Sequence, residues 1–152
     1  KSAAAQGVKA VAAKDGITAV NIKSSRMLLA YGFLRSVFAI FEKYKTPIDM
    51  IATSEVAVSM TIDSLISLNE IVAELETLGS VSVTPNQTII SIVGHNLAQS
   101  PDLLKNIFAG ITHIPVSMVS YGGSPHNVSI LVPADQKNET LQALNKELFG
   151  LE

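Results

Sequence analysis

The chain has 152 residues, with 11 basic and 13 acidic side chains and a formal net charge of −2. This length suits one ordinary domain or two small ones, and the charge balance lacks the basic stripe that a nucleic-acid-binding protein needs. Cysteine is absent, which excludes disulfides, thiolate metal sites and a cysteine nucleophile.

Hydrophobic residues make up 47% of the chain and charged residues only 16%. No apolar run approaches the roughly 18 residues of a membrane span, so the apolar surface is expected to enter a core or a subunit interface. The sequence starts at Lys1, and the opening KSAAAQG lacks the apolar core of a signal peptide. We interpret the chain as a fragment of a longer, cytoplasmic protein.

The N-terminal part predicts two strands separated by a turn. Residues 8–13 form a short apolar segment, and Lys-Asp-Gly at 14–16 is a turn signal that is expected to close it. Apolar and polar residues alternate over 18–22, as in a half-buried strand. Residues 24–31 show no strand period and predict a loop that leads into a helix at Gly32.

A helical period then gives way to two strand-like periods. Pro47 is expected to end the helix, because proline lacks an amide hydrogen and disfavours helical angles in the preceding residue. Alternation over 48–52 and 56–63 predicts two short strands. The helix carries an apolar stripe at three- and four-residue steps, made of Phe33, Val37, Phe38, Phe41 and Tyr44.

The following segment completes a first structural unit over residues 17–85. Ser67 to Glu70 matches a capping box that opens a second helix, and Gly79 is expected to end it as a left-handed cap. A short strand at 81–83 follows before Pro85. The order strand, helix, strand, strand, helix, strand is that of a ferredoxin-like fold, in the α+β class.

The remaining residues repeat this plan. The predicted elements are a strand at 89–93, a helix opened by Ser100 and Pro101, strands at 116–120 and 128–132, and a last helix capped near Asp135. Matching segments are Val37-Phe38-Ala39 with Ile107-Phe108-Ala109, and Met50 with Met118. This pattern indicates an internal duplication.

The second unit lacks its last strand, since only Gly150, Leu151 and Glu152 follow its final helix. The apolar segment 8–13 is spare at the front of the chain. We therefore predict that the strand at 8–13 completes the second sheet. The second unit would then comprise residues 1–16 plus 86–152, with the first unit, 17–85, inserted into it.

Several blocks of the sequence resemble the regulatory region of aspartokinases. They are SSRML at 24–28, GFL at 32–34, VF at 37–38 and IDMIATSEVAVSMTID at 48–63, against family patterns S-x-x-M-L, G-F-L, V-F-x-I-F and V-D-x-I-x-T-S-E-V-x-V-S-x-T-x-D. The resemblance covers essentially the whole chain, and the fungal, yeast-type enzymes are the most similar. It implies two ACT domains, which are βαββαβ modules that sense small ligands.

The resemblance also implies a function. The parent enzyme would transfer the γ-phosphate of ATP to aspartate, with ATP and Mg in a kinase domain that this chain lacks, so the fragment would not itself be an enzyme. An end-product amino acid would inhibit the parent: threonine in fungal members, and often lysine in plant and bacterial ones. Expected partners are this effector, a second copy through ACT–ACT dimerisation, and the kinase domain. The alternative is a purely structural dimerisation module that binds no small molecule.

The residues themselves suggest how a free amino acid would bind. The helix that begins near Gly32 offers amide donors and the positive end of its dipole to a carboxylate, and Asp49 offers an acceptor to an ammonium group. Carried over by position, the family's effector contacts fall on Met27, Ala30, Gly32, Phe33, Leu34, Ile48, Asp49, Ser54 and Glu55. Ala30 replaces a polar residue of some lysine-sensitive relatives, which disfavours lysine.

Simpler interpretations of these residues remain open. Asp49 can be a solvated carboxylate at a strand end, and Met27 is more often a core side chain than a ligand contact. Ser54 and Glu55 can belong to a plain hairpin. Ser117 stands in the second unit where the first has Asp49, so we predict that the first unit binds the effector and the second serves packing or dimerisation.

No catalytic or metal centre is predicted. The three histidines, His95, His113 and His126, stand in separate loops without a nearby acidic residue in sequence. Gly94-His95-Asn96 and Tyr121-Gly122-Gly123 do not match the glycine pattern of a nucleotide-binding loop.

Overall fold

The computed structural model describes residues 7–25 and 31–150, which form two compact units. The middle unit comprises residues 16–86, and the split unit comprises residues 7–15 together with 87–150. The elements are β1 (Val8–Lys23), α1 (Phe33–Lys43), β2 (Ile51–Thr53), β3 (Ala57–Ile62), α2 (Leu68–Leu75), β4 (Ser80–Gly94), α3 (Leu103–Gly110), β5 (Met118–Ser120), β6 (Asn127–Pro133) and α4 (Lys137–Phe149). Short 3-10 helices at Leu97–Gln99 and Ala134–Gln136 precede α3 and α4.

The middle unit has the predicted βαββαβ order. Its strands lie side by side as β2-β3-β1-β4, with β3 antiparallel to both β1 and β2. The α+β, ferredoxin-like prediction is therefore confirmed. The helices and the sheet enclose a core of Val20, Ile22, Phe33, Val37, Ile40, Phe41, Val58, Met60, Ile62, Ile71 and Leu75.

The split unit repeats this order, with its strands arranged as β1-β4-β6-β5. β6 is antiparallel to β4 and to β5. Val8, at the start of β1, is buried in the core of this unit together with Leu103, Ile107 and Leu144. The amide of His95 donates a 2.7 Å hydrogen bond to the carbonyl of Gly7.

Two predicted breaks between strands are absent, because β1 runs through residues 14–16 and β4 runs through Pro85. Gly16 has φ +71° and Asn86 has φ +59°, both inside a strand. A residue in this conformation can kink a strand without ending its hydrogen-bonded ladder. The Lys-Asp-Gly signal at 14–16 is thus a kink, and the predicted turn is wrong.

Two predicted helix starts need correction. Ser67 precedes α2 but makes no side-chain capping bond, because its ψ of 19° departs from the extended geometry of a capping residue. In the split unit α3 follows Asp102 rather than Ser100. The predicted start of the last helix is right, because α4 follows Gln136, the neighbour of Asp135, although Gln136 makes no side-chain capping bond.

Gly79 is not the predicted left-handed cap, since its φ is not positive. A Cβ atom at Gly79 would lie 2.5 Å from the Lys23 carbonyl oxygen and 3.0 Å from the Ser24 Cβ. Glycine is therefore needed because two backbone segments approach closely at this position.

Candidate functional site

The N-terminal end of α1 carries no capping side chain. Gly32 occupies the cap position and makes no side-chain capping bond, and the first turn of the helix contains no acidic residue. Phe33 is buried in the core and anchors this end, whereas Leu34 is 38% exposed. Arg35 is exposed in the same turn, so its charge adds to the positive end of the helix dipole.

Asp49 lies just before β2 and is exposed. Its amide donates a 2.8 Å hydrogen bond to the Thr61 carbonyl, and the next amide, that of Met50, bonds to the Thr61 hydroxyl. This use of the hydroxyl explains how the polar side chain of Thr61 can be buried. β2 begins only at Ile51 instead of the predicted residue 48, although Ile48 packs against the core.

Ser54 and Glu55 form the turn between β2 and β3, and both are exposed. The Ser54 amide donates a 2.9 Å bond to the Ala57 carbonyl. Ala57 pairs with Lys23, so the turn lies at the C-terminal end of β1. The hairpin interpretation accounts for this backbone geometry and leaves both side chains accessible.

The strand register separates some predicted site residues within one chain. Asp49 lies beside Thr61, which pairs with Ala19, whereas Ser54 lies near the partner of Lys23. The five residue steps from Asp49 to Ser54 span about 16 Å of extended chain. Gly32, Phe33 and Leu34 are contiguous at the start of α1. Met27 and Ala30 lie outside the described residues.

The residue pattern gave no sign of a cleft of about 320 Å³ in the middle unit. Its lining residues are Lys23, Ser24, Ser25, Glu76, Thr77, Leu78, Gly79 and Ser80. They come from two segments some fifty residues apart in sequence, so no local motif could have indicated them.

A small polar network joins the two helices of the middle unit. Lys43 forms a 2.8 Å ion pair with Glu74, and the Tyr44 hydroxyl donates a hydrogen bond to the same carboxylate. These bonds from Lys43 and Tyr44 lower the pKa of Glu74. The bond to Glu74 also raises the pKa of Lys43 and of Tyr44. The network supports the fold and contains no predicted site residue.

The corresponding positions of the split unit carry different chemistry. The Ser117 amide donates a 3.0 Å bond to the Leu131 carbonyl, as Asp49 does to Thr61. Asp102 occupies the cap position of α3 without a side-chain capping bond.

The histidines do not form a metal centre with other described residues. His95 and His126 stack with ring centroids 5.5 Å apart. The Nε2 atom of His113 lies 3.0 Å from a carboxylate oxygen of Glu139, which the sequence did not predict because the two residues are far apart in the chain. Within 7–25 and 31–150, no three histidine or carboxylate side chains gather around a possible ion. The helices of the same residues are too short or too polar to cross a membrane.

The fold defines the class of protein. The ACT domain family matches residues 90–148, which lie in the split unit. The assigned C-terminal regulatory domain of aspartate kinase from Porphyromonas gingivalis W83 is 48% identical, with a TM-score of 0.83 over 92% of this chain and 96% of that one. The chain belongs to this family of aspartate kinase regulatory domains.

Full-length enzymes are also similar. Aspartokinase of Saccharomyces cerevisiae is 34% identical over 95% of this chain and 29% of its own length. Escherichia coli aspartokinase III, solved in complex with lysine and aspartate in the T-state, is 30% identical with a TM-score of 0.82, over 93% of this chain and 33% of its own. The chain thus spans about 30% of the curated fungal relatives that it matches.

Proposed function

We propose that the chain is the effector-binding part of an aspartokinase and that an end-product amino acid, threonine, binds to its middle unit. The parent enzyme would phosphorylate aspartate with ATP and Mg²⁺ bound in a kinase domain, in the cytoplasm. Both units would be ACT domains, with the middle one inserted into the split one. The observation that carries the proposal is the start of α1, where a positive helix end with Arg35 has no acidic residue in its first turn.

The charges favour the middle unit over the split unit as the binding unit. At α1 a ligand carboxylate would meet amides and Arg35, whereas at α3 it would meet the carboxylate of Asp102. For the ligand ammonium group, the middle unit offers Asp49 and the split unit offers Ser117. An amino acid therefore finds complementary charges in one unit only.

Two copies would complete the site. β2 is the edge strand of the middle unit, and its residue Ile51 is 40% exposed. Antiparallel pairing of two β2 strands about a two-fold axis near Ala52 would set Asp49 of one copy beside Ser54 and Glu55 of the other. This arrangement accounts for effector residues that lie about 16 Å apart along one strand.

Threonine is proposed over lysine because the chain resembles fungal enzymes. In addition, Ala30 stands where some lysine-sensitive relatives have a polar residue. Inhibition requires that the effector bind the inactive arrangement of the enzyme more tightly than the active one. By reciprocity, effector and substrate then weaken each other's binding by the same factor.

Thermal or urea unfolding of the chain with L-threonine and L-lysine tests the proposal. At about 100 times its dissociation constant, a specific ligand stabilises by roughly 2.7 kcal/mol. Asp49→Asn should abolish this gain without loss of fold, since Asp49 is exposed. Ser117→Ala is the matched control in the split unit and should keep it.

The exposed edge residue Ile51 favours the structural alternative as the second candidate function. If both amino acids leave the unfolding midpoint unchanged while the chain is dimeric in solution, the module only dimerises its parent enzyme. If lysine stabilises the chain, threonine does not, and Asp49→Asn abolishes the gain, the proposed effector is wrong while the proposed site stands.

A further inference from the structure

The cleft in the middle unit lies between two segments that the proposed effector site does not use. One wall is the end of β1, with Lys23, Ser24 and Ser25, and the other is the connection from α2 to β4, residues 76–80. Its volume of about 320 Å³ is at the lower end of the range for small-molecule sites. No predicted effector residue lines the cleft within the part of the chain that the structure describes.

The backbone fixes the shape of this cleft. Gly79 lies so close to Lys23 that a Cβ atom would be 2.5 Å from the Lys23 carbonyl oxygen. The amides of Leu78 and Gly79 both donate to the carbonyl of Leu75, at 2.8 and 3.2 Å, and hold the connection in place. A cleft that needs little rearrangement costs a ligand less free energy on binding.

The two walls carry opposite charges. Lys23 lies on one wall and Glu76 on the other, and both are exposed. Among the described residues, neither has an ion-pair partner within 4.0 Å. Glu76 also caps the C-terminal end of α2, where the helix dipole is negative and favours a cation.

Hydroxyl groups complete the lining. Ser25, Thr77 and Ser80 each offer an oxygen that donates and accepts hydrogen bonds. The Thr77 hydroxyl donates to the Glu74 carbonyl at 2.6 Å, which leaves its lone pairs as acceptors. The cleft therefore presents a positive side, a negative side and neutral groups that can serve either end of a ligand.

We propose that this cleft binds a small zwitterion of the α-amino-acid type. The ligand carboxylate faces Lys23 and the Ser25 hydroxyl, and its ammonium group faces Glu76 at the negative end of the α2 dipole. A simple anion would meet Glu76, and a simple cation would meet Lys23, so each matches only half of the site. The site is separate from Asp49 and does not depend on the proposed inhibition by threonine.

Amide chemical shifts of the 15N-labelled Asp49→Asn chain test this proposal, because that background removes the proposed effector site. The probes are L-lysine, L-methionine and L-aspartate as zwitterions, inorganic phosphate as an anion, and methylammonium as a cation. At least one amino acid should shift the signals of Ser25, Gly79 and Ser80. Lys23→Met and Glu76→Gln should each weaken that binding about tenfold, equivalent to roughly 1.4 kcal/mol.

Lys9→Met and Glu70→Gln are matched controls, since both residues are exposed and neither lines the cleft. Both should leave the affinity unchanged. The proposal is overturned if no amino acid shifts these signals, if phosphate or methylammonium shifts them as strongly as any amino acid, or if the Lys23 and Glu76 variants bind as well as the controls. If the unmodified chain binds threonine at Asp49 but no amino acid shifts the signals of the cleft, this proposal is refuted and the proposed function is not.

Discussion

The middle and split units share one strand order, yet an acidic side chain occupies different places in them. In the middle unit Asp49 precedes the edge strand, and Gly32, which has no side chain, occupies the cap position of α1. In the split unit Ser117 precedes the edge strand and Asp102 caps the helix. The same strand order thus carries different charge patterns, so two units with one fold differ in the groups that they offer to a zwitterion.

The largest expected effect concerns the close backbone contacts that each unit contains. Gly79→Ala in the middle unit would drive a Cβ into the Lys23 carbonyl, and Gly94→Ala in the split unit would drive one still closer to the Gly7 carbonyl. Overpacking of this kind typically costs about 1 to 3 kcal/mol. Urea unfolding should show both losses, with the larger at Gly94.

Gly32→Ala is the control for both glycine variants, because no atom of the described residues lies within 4 Å of its added Cβ and its φ of −97° suits any residue. We expect its free energy of unfolding to change by less than about 0.5 kcal/mol. A Gly79→Ala chain as stable as this control would show that the close approach to Lys23 does not require glycine.

These glycines also show what the sequence can predict. Periodicity predicted the helices and strands well, since the burial of Val37, Phe41 and Ile71 follows from their spacing. It did not predict that Gly79 touches Lys23 or that His113 meets Glu139, because both contacts join residues far apart in sequence. The cleft was missed for the same reason, whereas the bare helix start at Gly32 was visible from the residues alone.

A middle-sized effect should appear when the charge patterns of the two helix starts are exchanged. Gly32→Asp would place a carboxylate at the positive end of α1, which stabilises a helix by about 0.3 to 1 kcal/mol. Asp102→Asn would remove the corresponding charge from α3 and cost a similar amount. Thermal unfolding of both variants measures these opposite changes.

The same Gly32→Asp chain should lose affinity for the effector, because the new carboxylate occupies the place proposed for the carboxylate of the ligand. Calorimetric titration with L-threonine measures this loss, and Asp102→Asn should leave the affinity unchanged. If the Gly32→Asp chain binds threonine as tightly as the unmodified chain, the effector does not bind at the start of α1.

The smallest effect is a difference in pH dependence between the units. In the split unit, a 2.8 Å bond from Lys137 holds the pKa of Asp15 below its usual value. In the middle unit, Lys43 and Tyr44 lower the pKa of Glu74. Carboxylates with a lowered pKa stabilise the fold above their unfolded pKa, and this contribution is lost as the pH falls through the folded value. Both pairs should therefore weaken below about pH 4.

The middle-unit network should also weaken in alkali. The bond to Glu74 raises the pKa of Lys43 and of Tyr44, so their contribution is complete below their unfolded pKa values and disappears as the pH rises through the folded values. Glu74→Gln should flatten the stability profile at both ends, whereas Asp15→Asn should flatten its acid limb. Because these groups are exposed or half-buried, the changes in unfolding midpoint should be small. An Asp15→Asn chain with an unchanged acid limb would show that the bond from Lys137 does not contribute to stability.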